Sequence, residues 1–193
     1  MLPNVIREFN DIYPNARFNI YSTSNVEMLE KLRNNELDFI IMQYPIFIND
    51  SSFKEEILCK LNTCFFANKS YYELYLNNHN SITELPIILP MRGFPDINRL
   101  EETLKNNNIL LKHNFTSYTT ELTKELVLEG VGIGWGIKKC IEKEIKDGLL
   151  YELPMEFKTP TTVFSIAYNS DFLNKTTKMF IEFFKEKMKE MSN

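Results

Sequence analysis

Leu37-Asp38-Phe39-Ile40-Ile41-Met42 is a nearly unbroken apolar run, interrupted only by Asp38. A strand with one wet face alternates apolar and polar residues, whereas one covered by helices on both faces does not. The run therefore predicts a parallel strand buried on both sides. Upstream, Ser24 followed by Glu27 has the spacing of a capping box, and Val26, Leu29 and Leu32 supply the buried stripe of the helix it opens, which should fray near Asn34 and Asn35. Before that helix, Ala16, Phe18, Ile20 and Ser22 alternate with Arg17, Asn19 and Tyr21, the period of a strand. Leu2, Val5, Ile6, Phe9 and Tyr13 then fall at helical spacing, with Pro3 suited to a first turn and Pro14 stopping the run. Helix, strand, helix, strand with buried parallel neighbours predicts an α/β layer architecture with right-handed crossovers.

Downstream of a polar loop at 49–52, residues 57–67 read as one long or two short strands. The alternation then restarts, with helices expected at 71–76, 97–106, 120–129 and 138–145. Strands are expected between them at 87–89, 111–115 and 131–135, and a short one at 149–153. Thr162 to Tyr168, rich in β-branched and aromatic residues, is a further strand. The last helix spans 174–191, with Met179, Phe180, Phe183 and Phe184 facing inward. The expected division is a first lobe of residues 1–66 and 163–193 and a second of residues 67–162.

At 193 residues with 44% hydrophobic content, the chain has enough apolar surface for a core without staples. Cys59, Cys64 and Cys140 are too few and too irregular for a disulfide framework, which favours a reducing, cytoplasmic setting. The amphipathic opening helix carries Arg7, Glu8 and Asp11, so it reads as neither a signal peptide nor a membrane anchor, and no apolar run is long enough to span a bilayer. A net charge of -4 and a pI near 5.4 oppose nucleic-acid binding by this chain, because that affinity comes from neutralising phosphates. The lysines from Lys178 to Lys189 are interleaved with Glu182, Glu186 and Glu190, as on a solvated helix face.

Catalytic and cofactor motifs are missing: there is no nucleophile elbow, no His-Glu-x-x-His and no phosphate-cradling loop ending in Lys-Ser or Lys-Thr. His79 and His113 have no neighbouring nucleophile or carboxylate pattern, and Cys59 and Cys64 are an odd number of positions apart, so on one strand they would point to opposite faces and share no metal. The run Gly130-Val131-Gly132-Ile133-Gly134-Trp135-Gly136 tempts a nucleotide-binding reading. A dinucleotide fingerprint, however, follows a strand and precedes a helix, whereas this run follows a helix and keeps its apolar residues at alternate positions. The glycines are read as a close-packing face.

What remains is a set of polar turns just ahead of helices: Ser24 and Asn25, then Arg92-Gly93-Phe94, then Tyr118-Thr119-Thr120. Helix N-termini expose unpaired backbone N–H groups and the positive end of the dipole, and in open α/β sheets they gather at the carboxyl ends of strands, where ligands bind.

The order Leu2-Pro3, Phe9, Tyr13-Pro14, then Leu29, Leu32 and Glu36-Leu37-Asp38-Phe39, and later Glu121, Glu129-Gly130-Val131-Gly132-Ile133 and Gly148-Leu149-Leu150, resembles the effector-binding domain of LysR-type transcriptional regulators. The resemblance covers essentially the whole chain. It implies two Rossmann-like α/β lobes joined by two crossover strands, similar to type 2 periplasmic binding proteins, with the crossovers at 61–68 and 162–169. It also implies a small-molecule effector held between the lobes by the turns already singled out, and no enzymatic activity. The expected ligand-binding residues are Ser24, Asn25, Gln43, Arg92, Gly93, Phe94, Tyr118, Thr119, Thr120 and Trp135. Arg92 would suit an anionic ligand, Phe94, Tyr118 and Trp135 an apolar wall, and Gln43 a neutral donor and acceptor. A homodimer or higher homo-oligomer is implied, pairing through the helices at 26–32 and 122–128. DNA would be reached only through an N-terminal winged helix-turn-helix absent from this sequence. The alternative on the same fold is the solute-binding component of a transporter.

Overall fold

The computed structural model describes residues 2–46, 50–79, 81–92 and 94–192. The elements alternate much as the periodicity predicts: α1 (Leu2–Ile12), α2 (Asn25–Arg33), β1 (Phe39–Gln43), β2 (Phe53–Ala67), α3 (Lys69–Asn77), β3 (Ile87–Pro90), α4 (Pro95–Asn106), β4 (His113–Ser117), α5 (Thr120–Leu128), β5 (Ile133–Ile137), α6 (Glu142–Lys146), β6 (Tyr151–Glu152), β7 (Thr161–Asn169) and α7 (Lys175–Ser192). A single 3-10 turn at Lys138–Cys140 precedes α6, so the helix expected over 138–145 is broken in two. The strands expected at 111–115 and 131–135 each begin two residues later than expected.

The chain forms two compact units, residues 1–60 with 163–193, and residues 61–162. The strands β2 and β7 each run across a unit boundary, as crossover strands do.

In the first unit β1 pairs with β7 and is antiparallel to it, from Phe39 opposite Tyr168 to Gln43 opposite Phe164. This corrects the expectation of a parallel neighbour. The apolar run of β1 is nevertheless covered on two sides. Ile40 and Met42 are buried with Leu32 of α2, while Phe39 stacks on Phe180 of α7 with ring centroids 5.8 Å apart. Phe180 also meets Phe9 of α1 edge-on at 5.1 Å and Phe18 at 5.0 Å. The strand expected over 16–22 is not formed, and Ile20 and Tyr21 lie 66% and 59% exposed. Lys185 of α7 bonds to Glu56 of β2 at 2.7 Å, with Tyr168 donating to the same carboxylate. The lysine-rich helix is thus fastened to the sheet as well as solvated.

In the second unit the order is β6-β2-β5-β3-β4. β5 is antiparallel to β2, and β3 lies parallel between β5 and β4. One face buries Phe65, Tyr75, Leu89, Ile97, Leu100, Ile133 and Trp135, and the other buries Cys64, Phe66, Ile88, Val127, Ile141 and Leu150. Alternation along β5 decides this division. Its glycines face α5, and a Cβ on Gly134 would fall within 2.7–2.8 Å of Thr123, Phe66 and Val127 side-chain atoms. The glycine run is therefore a packing device, and its first member, Gly130 at φ +75°, ends α5 in the left-handed conformation with its N–H bonded to the Val127 carbonyl.

Candidate functional site

Parallel strands with helical crossovers deliver every helix N-terminus to the same end of a sheet. In the second unit β3 and β4 are in register through Pro90 and Ser117, and the Met91 N–H donates to the Ser117 carbonyl at 3.1 Å. The turns leading into α4 and α5 are consequently neighbours. Phe94, the residue before α4, meets Tyr118 edge-on with ring centroids 5.6 Å apart, and Tyr118 stays 53% exposed. Thr119 Oγ1 caps α5 by accepting the Leu122 N–H at 3.1 Å. Ser117 is buried and its hydroxyl donates to the Thr119 carbonyl, fixing the turn. Thr120 packs against Gly136, where a Cβ would meet its Cγ2 at 2.8 Å.

Arg92 is exposed, with its Nε 3.8 Å from the Glu101 carboxylate, a distance of loose surface attraction rather than a hydrogen bond. Its guanidinium retains donors for another acceptor. Trp135 lies in the core of the second unit, 2% exposed, and its indole N–H has no hydrogen-bond partner. Gly93 lies outside the described residues. In the first unit Ser24 caps α2, its hydroxyl accepting the Glu27 N–H at 3.3 Å, and Asn25 opens that helix. Gln43 ends β1 with its side-chain Oε1 buried and unpartnered. The second unit thus gathers Phe94 and Tyr118–Thr120, while Ser24, Asn25 and Gln43 belong to the first.

One feature of the α4 turn escaped the sequence reading. Asp96, in the first turn of α4, is 3% exposed, accepts the Thr162 hydroxyl at 2.6 Å and pairs with Arg99. Burial pushes its carboxyl above the usual range, against the opposing pull of Thr162 and Arg99. The signal was present in Pro95-Asp96, a proline at the first helical position followed by an acidic residue, which marks a helix start two residues before the one inferred. Burial likewise pushes the Cys64 thiol up to about 12, so it stays protonated and unreactive. No metal-binding cluster occurs among the described residues.

A cavity of about 460 Å³ in the second unit is lined by Phe65, Tyr72, Leu153, Met155 and Phe157 with Glu152 and Lys158. It contains none of the turn residues above. We place the candidate site at the helix N-termini, where unpaired backbone donors and polar side chains converge, rather than in this hollow, which mixes Phe65, Tyr72 and Phe157 with Glu152, Lys158 and Thr159 and takes in no helix N-terminus of the site.

Residues 1–189 match the family model of the LysR substrate binding domain. No curated protein matches the chain. Among solved structures, the regulatory domain of CcmR from Synechocystis PCC6803, in complex with 2-PG, has a TM-score of 0.78 at 15% identity, covering 98% of this chain and 92% of that one. The effector binding domain of QuiR in complex with shikimate has a TM-score of 0.77 at 15% identity, covering 98% and 91%. The regulatory domain of CrgA, a LysR-type transcriptional regulator from Neisseria meningitidis, has a TM-score of 0.74 at 20% identity, covering 97% and 92%. At these identities the structural likeness speaks to the fold.

Proposed function

This chain belongs to the LysR substrate binding domain family, and from that premise we propose that it senses a small anionic or polar metabolite at the strand carboxyl ends and passes the signal to a DNA-binding domain of a transcriptional regulator. The observation that carries the reading is the convergence of the α4 and α5 N-termini in the second unit, held together by the Phe94–Tyr118 contact. Each helix N-terminus favours a negative charge by roughly 0.3–1 kcal/mol when exposed and more when partly buried. The loosely held Arg92 adds a planar fork suited to a carboxylate. In this reading Arg92, Gly93, Phe94, Tyr118, Thr119 and Thr120 contact the ligand from the second unit, and Trp135 supplies a buried donor. Ser24, Asn25 and Gln43 are the ligand residues of the first unit, where the unpartnered Gln43 oxygen offers an acceptor.

The reading needs binding and no catalysis, and in it the protein works in the cytoplasm as a homodimer or higher homo-oligomer. No helix of the described residues is long and apolar enough to cross a membrane. CcmR with 2-PG and QuiR with shikimate are similar domains that carry small molecules, which supports a small-molecule role here. A thermal-shift screen of metabolites, repeated with Arg92→Ala and Thr119→Val, tests the proposal. Stabilisation by an anionic metabolite should fall in both variants, and stabilisation that survives both moves the site elsewhere.

A further inference from the structure

We propose that the second unit holds a further small-molecule site, beneath the arch of residues 153–160, that takes a planar aromatic carboxylate of one or two rings. The arch is pegged at both ends. At its start the Leu153 N–H donates to the Phe65 carbonyl at 2.9 Å, and the Tyr75 hydroxyl of α3 donates to the Pro154 carbonyl at 2.8 Å. At its end the Thr159 hydroxyl donates to the Thr63 carbonyl at 2.6 Å, and the Thr63 hydroxyl donates to the Pro160 carbonyl at 2.5 Å. Pro154 and Pro160 fix φ beside these pegs. Between them, residues 155–158 make no backbone hydrogen bond to another segment among the described residues. The arch therefore stands off β2 on rigid supports, and the cavity of about 460 Å³ beneath it has the size of a ligand site rather than of a water pocket.

Its shape follows from the strand it spans. Phe66 lies opposite Glu152, and Thr63 is bonded by Thr159, so the two ends of the hollow are three residues apart along β2, ~10 Å at the rise of a strand. Tyr72 and Phe157, both half-buried, line the space between, with Met155 beside them. The Tyr72 ring is held in place by stacking on Tyr151, with centroids 5.0 Å apart and planes at 23°. Aromatic walls of fixed orientation favour a flat partner that meets them by offset stacking or edge to face, and a thioether adapts to the ring edge.

The charge of the occupant follows from which groups are already committed. The Glu152 carboxylate is paired with Lys138 at 2.6 Å, so that end of the hollow is neutralised. Cys64 contributes a protonated thiol and no negative charge. At the other end the exposed Lys158 ammonium has no ion pair or hydrogen bond among the described residues, and the neighbouring Glu156 does not line the cavity. One uncompensated positive charge thus stands over an aromatic hollow, and a carboxylate on the ring system supplies its partner. The site shares no residue with the helix N-termini of α4 and α5, so it stands or falls independently of the effector reading.

Titration of the 193-residue chain, labelled with 13C at its methionine methyls, with 2-naphthylacetate tests the proposal. Met155 is the single methionine of the cavity wall, and its resonance is identified by its loss in Met155→Leu. The ring current of a bound naphthyl group should move that resonance upfield and saturably. Lys158→Gln should weaken binding about three- to fivefold, as expected for an exposed ion pair, and neutral 2-naphthylacetamide should bind the unaltered chain more weakly by a similar factor. Arg92→Ala should leave the affinity unchanged. A Met155 methyl unmoved by millimolar 2-naphthylacetate would overturn the site. Equal affinity for the acid and the amide, or for the parent and Lys158→Gln, would overturn the anionic occupant, and a Met155 shift abolished by Arg92→Ala would assign the acid to the helix N-termini instead.

Discussion

Asp96 shows how one side chain sets a pH dependence. Its carboxyl is buried against Thr162 and held above the usual range by that burial. A carboxyl whose folded-state pKa exceeds its unfolded one, near ~3.9, binds its proton more tightly in the folded protein. Its contribution to stability is therefore present at low pH, falls as pH rises through the folded pKa, and stays lost above it. Asp96→Asn removes this titration and keeps an amide oxygen for the Thr162 hydroxyl. The stability of the variant relative to the parent should rise with pH above about 4 and then level off; denaturant melts across that range would show a flat difference if burial did not hold the proton. Gly134 is a second single-atom case. A methyl group there would collide with Thr123, Phe66 and Val127, so Gly134→Ala should cost about 1–3 kcal/mol, read as a lower denaturation midpoint with an unchanged m-value.

At the scale of elements, α5 is defined by its two ends. Thr119 caps the first turn, and Gly130 closes the last at φ +75°, with the Val131 N–H reaching back to the Leu126 carbonyl. Between them, Lys124 bonds to Glu144 of α6 at 3.0 Å, a half-buried pair that raises the lysine and lowers the glutamate through their hydrogen bond. Thr119→Val removes the cap oxygen and should cost about 1 kcal/mol without ligand, while Thr119→Ser should restore most of it. Thermal melts of both variants separate this capping loss from loss of metabolite binding, since only the ligand-dependent shift reports the site. A valine variant as stable as the parent would show that the 3.1 Å contact contributes nothing to the helix.

For the whole molecule, Val26 on α2 and Leu122 on α5 stand 67% and 49% exposed, the apolar positions through which we propose that two copies pair. Val26→Glu with Leu122→Glu should convert a dimer to a monomer in sedimentation velocity, and an unchanged mass would remove these helices from the interface. Much of this architecture was legible beforehand, because helix and strand periods and turn residues are written within a few positions of one another. Leu37 to Met42 read as a strand covered on both faces, Ser24 as a helix cap, Thr119 as part of a polar turn ahead of a helix, and the alternate glycines of β5 as a packing face. What sequence could not hold was pairing between distant positions. Residues 16–22 have a strand's alternation, but a strand exists only with a hydrogen-bonded neighbour, and among the described residues none pairs with them. β1 found its partner in β7, more than a hundred residues away and antiparallel, and Asp96 found Thr162 across 66 positions. Local period is a property of each side chain and its near neighbours, whereas edge pairing and polar burial depend on which segments the completed core brings together.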